Sequence, residues 1–121
     1  MTHFIKIIFV YIFTTLLLCG CGNQHKAEKV VTNFLDKNFL STDYSVKFTK
    51  LDSTKHVSDS AITAMRMKAS VNKMFKKNIK YANTHNQYMY IQAHVSINGD
   101  TIRQTFYLNP DLTQIVSFKN N

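Results

Sequence analysis

A chain of 121 residues with 45% hydrophobic and 12% aromatic side chains suits one small domain with a modest core and is too apolar for a disordered segment. Fifteen basic against seven acidic residues give a formal charge of +8, which turns the protein toward anionic partners and away from cationic ones. Its two cysteines, Cys19 and Cys21, precede the main body of the chain, which therefore offers no thiol for a disulfide, a redox motif or a zinc site.

Residues 1–6 carry one lysine, Lys6, and residues 7–18 are almost unbroken apolar chain. A spanning helix needs about 20 residues, so this stretch predicts the hydrophobic part of an export signal. Leu18-Cys19-Gly20-Cys21 then resembles the lipobox of bacterial lipoproteins: an aliphatic residue, a small one, Gly/Ala/Ser, and the modified cysteine. Cys19 departs from the commoner Ala, Ser or Thr at the second place. The resemblance implies removal of residues 1–20 and a diacylglycerol thioether on Cys21, usually with a further acyl chain on its amine. Such chains anchor a protein to a membrane almost permanently. Residues 21–26 then read as acylated cysteine and tether, and 27–121 as one globular domain. An acidic residue just after the cysteine would resemble an inner-membrane retention signal of such lipoproteins, and none is present; the resemblance then implies a place in the cell envelope, by default at the outer membrane facing the periplasm. An exported protein rarely meets nucleic acid, and none is expected as a partner.

Residues 27–40 predict an amphipathic helix, with Ala27, Val30, Val31, Phe34, Leu35 and Asn38 at the spacing of one face. Ser41-Thr42-Asp43 supplies a turn. Tyr44, Val46 and Phe48 alternate with polar residues as in a half-buried strand, and the phase slips near Lys50. Residues 52–59 read as a polar loop. A second helix is expected from Ser58 or Ser60 to about Tyr81. Its inward stripe would be Ala64, Met67, Val71, Met74, Phe75, Ile79 and Ala82, with Arg66, Lys73, Lys76, Lys77 and Lys80 on the opposite side.

Asn98-Gly99 between two alternating runs is a strong hairpin signal, because both residues tolerate positive φ. A two-residue turn pairs Val95 with Ile102, Ile91 with Phe106 and Met89 with Leu108, all on one apolar face. The other face then sets Tyr90 opposite Tyr107, Gln92 opposite Thr105 and His94 opposite Arg103. A reversal at Asn109-Pro110-Asp111 leads into a third strand over residues 112–118, with Val116 and Phe118 inward. The order predicts an α+β fold: two helices packed on one face of an antiparallel sheet of about four strands, ending in a three-stranded meander. That arrangement resembles a cystatin- or NTF2-like half-wrapped sheet. Residues 31–51 and 104–120 also resemble small lipoproteins of Bacteroidota, a family with no assigned activity to carry over.

No catalytic constellation stands out. Glu28 is solvent-facing, and Asp43, Asp59, Asp100 and Asp111 fit caps and turns. His25, His56, His85 and His94 lack metal-ligand spacing, so neither metal nor cofactor is expected. Two surfaces remain. Tyr88, Tyr90, His94, Arg103 and Tyr107 form an aromatic and basic sheet face able to stack on sugars or hold a protein; cross-strand pairing alone also explains tyrosines there. Arg66, Lys73, Lys76, Lys77 and Lys80 form a basic helix face able to lie on an anionic membrane or glycan, or simply to be solvated. The expected function is a non-catalytic, lipid-anchored binding module for an envelope protein or glycan, with a periplasmic inhibitor or immunity-type protein as the alternative.

Overall fold

The computed structural model describes residues 22–54 and 57–121; the expected export segment, the lipobox-like stretch ending at Cys21, and His56 lie outside the described residues. Helix α1 occupies residues 22–38, followed by β1 (Ser45–Phe48), β2 (Asp52–Thr54), α2 (Asp59–Ser70), β3 (Tyr88–Ile97), β4 (Asp100–Leu108) and β5 (Ile115–Asn120). The strands form one open antiparallel sheet in the order β1-β3-β4-β5, and β2 pairs with β3 beyond the end of β1. The fold is α+β, as expected, with five strands where about four were expected.

The hairpin follows its turn. Asn98 and Gly99 take φ of 51° and 86°, and β3 and β4 pair Met89 with Leu108, Ile91 with Phe106 and Val95 with Ile102, the expected register. These residues face α1, whose Ala27, Val31, Phe34 and Leu35 complete the main core. Phe34 meets Phe106 and Phe118 edge-on, with ring centroids 5.9 and 5.6 Å apart. β1 alternates exposed Ser45 and Lys47 with half-buried Val46 and Phe48, which pack on the same core.

Elsewhere the structure departs from expectation. Residues 22–26 form the opening turns of α1, not a tether, with the Gln24 side chain bonded to the backbone at Thr49 and Leu51. Within the supposed polar loop, residues 52–54 form β2, because β3 offers them a pairing edge. The strand expected from residue 112 starts at Ile115. The Asn109 carboxamide accepts from the N–H groups of Thr113 (2.9 Å) and Gln114 (3.0 Å), and so extends the turn. Leu108 pairs with Ile115 but Tyr107 with Ser117. The bulge sends Val116 to the opposite side of the sheet from Phe118.

α2 shows the largest difference. Ser58 caps it, accepting from the Ala61 N–H at 3.1 Å, but it ends at Ser70. Asn72 turns the chain instead: its side chain accepts from the Met74 N–H at 3.0 Å and its carbonyl from the Phe75 N–H. Phe75 bridges to Phe39 and is buried against Phe118, with ring centroids 4.5 Å apart. The inward side of α2 is Ile62, Met65, Arg66 and Ala69, while Ala64, Met67 and Val71 face solvent. α2 does not share α1's face of the sheet. Ile62 and Met65 join Tyr88, Val116 and Tyr107 in a second cluster, and Ala69 reaches the main core. Both clusters are assembled within residues 27–118.

Candidate functional site

The expected sheet face is only partly available. Tyr90 stands opposite Tyr107 and His94 opposite Arg103, and the two tyrosine rings lie 6.4 Å apart. Tyr88 is not on that surface. It is 1% exposed, packed with Ile62, Ala82 and Val116, and its hydroxyl accepts from the His85 N–H at 2.7 Å. α2 and the chain at Ala82 cover that end of the face. Tyr90, Gln92, Thr105 and Tyr107 line a shallow hollow of about 380 Å³ edged by Val57 and Lys119. His94 and Arg103 lie outside it, on the open surface nearer the hairpin turn.

The expected basic helix face does not exist, because Lys73, Lys76, Lys77 and Lys80 follow the end of α2. Arg66 points inward. Its Nε donates to the Val116 carbonyl at 3.0 Å and its Nη2 to the Ala82 carbonyl at 2.7 Å. The guanidinium also lies 5.0 Å from the centre of the Tyr81 ring, a cation–π contact. Arg66 thus closes the outer edge of β5, helped by the Ala82 N–H, which donates to the Ile115 carbonyl at 2.9 Å.

Pinning Ala82 to β5 opens a cleft that the sequence reading missed. It lies between α1, residues 78–82 and the start of β5, with a volume of about 480 Å³. One wall is aromatic: Phe34 and Tyr81, ring centroids 6.2 Å apart. Asn33, Asn38, Asn78 and Gln114 line it, with Lys37 and Lys80 among them. The lining contains no carboxylate. Asn38 is buried with its amide nitrogen donating to the Phe34 carbonyl at 3.0 Å. Asn78 holds φ of 63°, a conformation asparagine tolerates better than most residues. Burial raises the Tyr81 pKa above its usual value, and the nearby Arg66 charge opposes the rise. The signal that was available lay in Asn72 and Asn78, two turn-forming residues inside a supposed helix.

The acids near these surfaces have structural partners. The Glu28 carboxylate accepts from Gln24 at 2.9 Å, Asp36 accepts from the Tyr44 hydroxyl, and Asp59 sits in the first turn of α2. His25 and His85 are exposed, and among the described residues no three His, Cys, Asp or Glu side chains gather as a metal site. Comparison with family models, curated proteins and solved structures finds no match for this chain.

Proposed function

We propose that this protein is a lipid-anchored cell-envelope module that binds, without transforming it, a carboxylated saccharide in the cleft between α1 and residues 78–82. The anchoring part rests on the apolar segment and the lipobox ending at Cys21. The observation that carries the binding part is the cleft's composition: three exposed amide residues, Asn33, Asn78 and Gln114, two lysines and an aromatic wall, with no acid. Amides both donate to and accept from sugar hydroxyls. The apolar face of a pyranose stacks on an aromatic ring such as that of half-buried Tyr81. Lysine supplies the charge for a carboxylate. A hydrolytic site would instead set two carboxyl groups across the sugar.

Two measurements test this reading. Radiolabelled palmitate should enter the wild-type protein and not Cys21→Ser. Calorimetric titration with uronic-acid oligosaccharides and their neutral counterparts should give binding to the acidic series only. Lys37→Glu/Lys80→Glu should abolish it, and Tyr90→Ala should leave it intact. The reverse pattern would move the site to the sheet face, and no binding by either series would end the cleft assignment.

A further inference from the structure

The described residues leave three large apolar side chains strongly exposed: Leu40 at 57%, Met67 at 66% and Val71 at 78%. They are not scattered. Met67 and Val71 are one helical turn apart at the end of α2. The Leu40 N–H donates to the Met74 carbonyl at 2.9 Å and the Lys76 N–H to the Asn38 carbonyl at 2.8 Å. These two bonds hold the chain leaving α1 against the chain leaving α2. Leu40 and Val71 therefore line one open hollow of about 630 Å³, together with Lys73, Lys76 and Lys77 and with no carboxylate.

We propose that this patch docks on an anionic bilayer, with Leu40, Met67 and Val71 entering the headgroup boundary and Lys73, Lys76 and Lys77 pairing with lipid phosphates. Aliphatic side chains ringed by lysines are the composition of a membrane-surface contact. Protein interfaces, by contrast, are enriched in aromatics and depleted of lysine. Flexible lysine stems also let ammonium groups stay at the phosphates while the aliphatics sink below them. The proposal stands apart from the saccharide cleft and from acylation of Cys21. Where Cys21 does carry acyl chains, the two contacts flank α1, a helix about 25 Å long at 1.5 Å per residue, which then lies along the membrane.

The test uses residues 22–121, which contain both core clusters and no cysteine, their folding checked by circular dichroism. The probes are phosphatidylcholine vesicles with and without phosphatidylglycerol. The polypeptide should sediment with the anionic vesicles and release at high salt. An environment-sensitive label on Val71→Cys should shift to the blue and be quenched by spin-labelled lipid, while one on Thr101→Cys in the hairpin should not. Leu40→Asp/Val71→Asp should weaken partitioning by at least about tenfold. Reversing Lys73, Lys76 and Lys77 to glutamate should weaken it by roughly a hundredfold or more. All of these positions are exposed or at a surface turn, so the variants should fold. Absence of sedimentation, sedimentation indifferent to either set of variants, or burial of the Thr101 label in place of Val71 would each overturn the proposal.

Discussion

The side-chain carbonyl of Gln24 accepts from the Leu51 N–H at 2.7 Å, while its amide donates to the Thr49 carbonyl at 2.9 Å. One side chain in the first turn of α1 thus behaves as a peptide unit laid against the chain between β1 and β2, where the phase of the strand slips. It satisfies two backbone groups and ties the beginning of the helix to the far edge of the sheet.

Loss of that clamp should be measurable. Gln24→Ala removes these two half-buried bonds to the backbone, along with the one to Glu28, and should cost about 1–3 kcal/mol in urea unfolding. Gln24→Glu should cost at least as much at neutral pH. A carboxylate cannot donate to Thr49, and it would stand beside Glu28, which now accepts from the amide. A variant as stable as wild type would show that the contact is incidental.

Arg66 has a comparable role at the opposite edge. Arg66→Met keeps much of the apolar stem but strips the donors from the Val116 and Ala82 carbonyls, and should destabilise by about 2 kcal/mol. Arg66→Lys should fall between, since an ammonium lacks the fixed fork that reaches two carbonyls at once. A second readout separates this from simple loss of packing. Without the guanidinium, the Tyr81 hydroxyl should titrate higher still, because Arg66 is the group that now lowers it.

Alkaline pH should loosen the fold through two tyrosines. Tyr44 is raised far above the usual 10.0 by burial first, then by its bond to Asp36 and the charge there. Tyr81 is raised by burial. Folded chains therefore hold both protons more tightly than unfolded ones. Stability from these groups is complete below about pH 10, and falls as pH rises toward the folded values while the unfolded chain releases its protons. Melting temperatures measured from about pH 8 to 11 should decline, and decline less steeply in Tyr44→Phe/Tyr81→Phe. Equal slopes would contradict the assignment.

What the sequence revealed was local. Asn98-Gly99 determines its own φ angles, and with them the register of every pair from Met89–Leu108 to Ile97–Asp100. α1 announces itself because one stripe of Ala27, Val31, Phe34 and Leu35 meets one flat core. What was hidden depends on contacts far apart in sequence. The apolar residues from Met67 to Ala82 fit a long helical stripe, yet Phe75 is buried by bridging Phe39 and Ala82 by bonding to Ile115. No helix spanning both could make those contacts, so the stripe breaks and Met67 and Val71 are left outside. Strand alternation places Tyr88 on the same face as Tyr90; α2, far from it in sequence, buries it there. The cleft exists only as the product of these non-local pairings, and its amides sit in segments that looked like helix and turn.

Gln104 presents the remaining anomaly. It sits opposite Ala93 on β3, almost fully buried, among the apolar residues facing α1. Its amide nitrogen donates to the Asn120 side chain at 3.0 Å, but its side-chain oxygen is buried without a partner. An unpaired buried carbonyl costs about 1–3 kcal/mol, more than the one partly exposed bond at the other end returns. Gln104→Leu should therefore be neutral or stabilising by about 1 kcal/mol, since exposed Asn120 regains water in exchange. Gln104→Glu should do the reverse, placing a charge beside the orphaned position and costing more than about 2 kcal/mol at neutral pH. A leucine variant that unfolds at markedly lower urea would show instead that the carbonyl is satisfied in solution, by a water molecule that the leucine displaces.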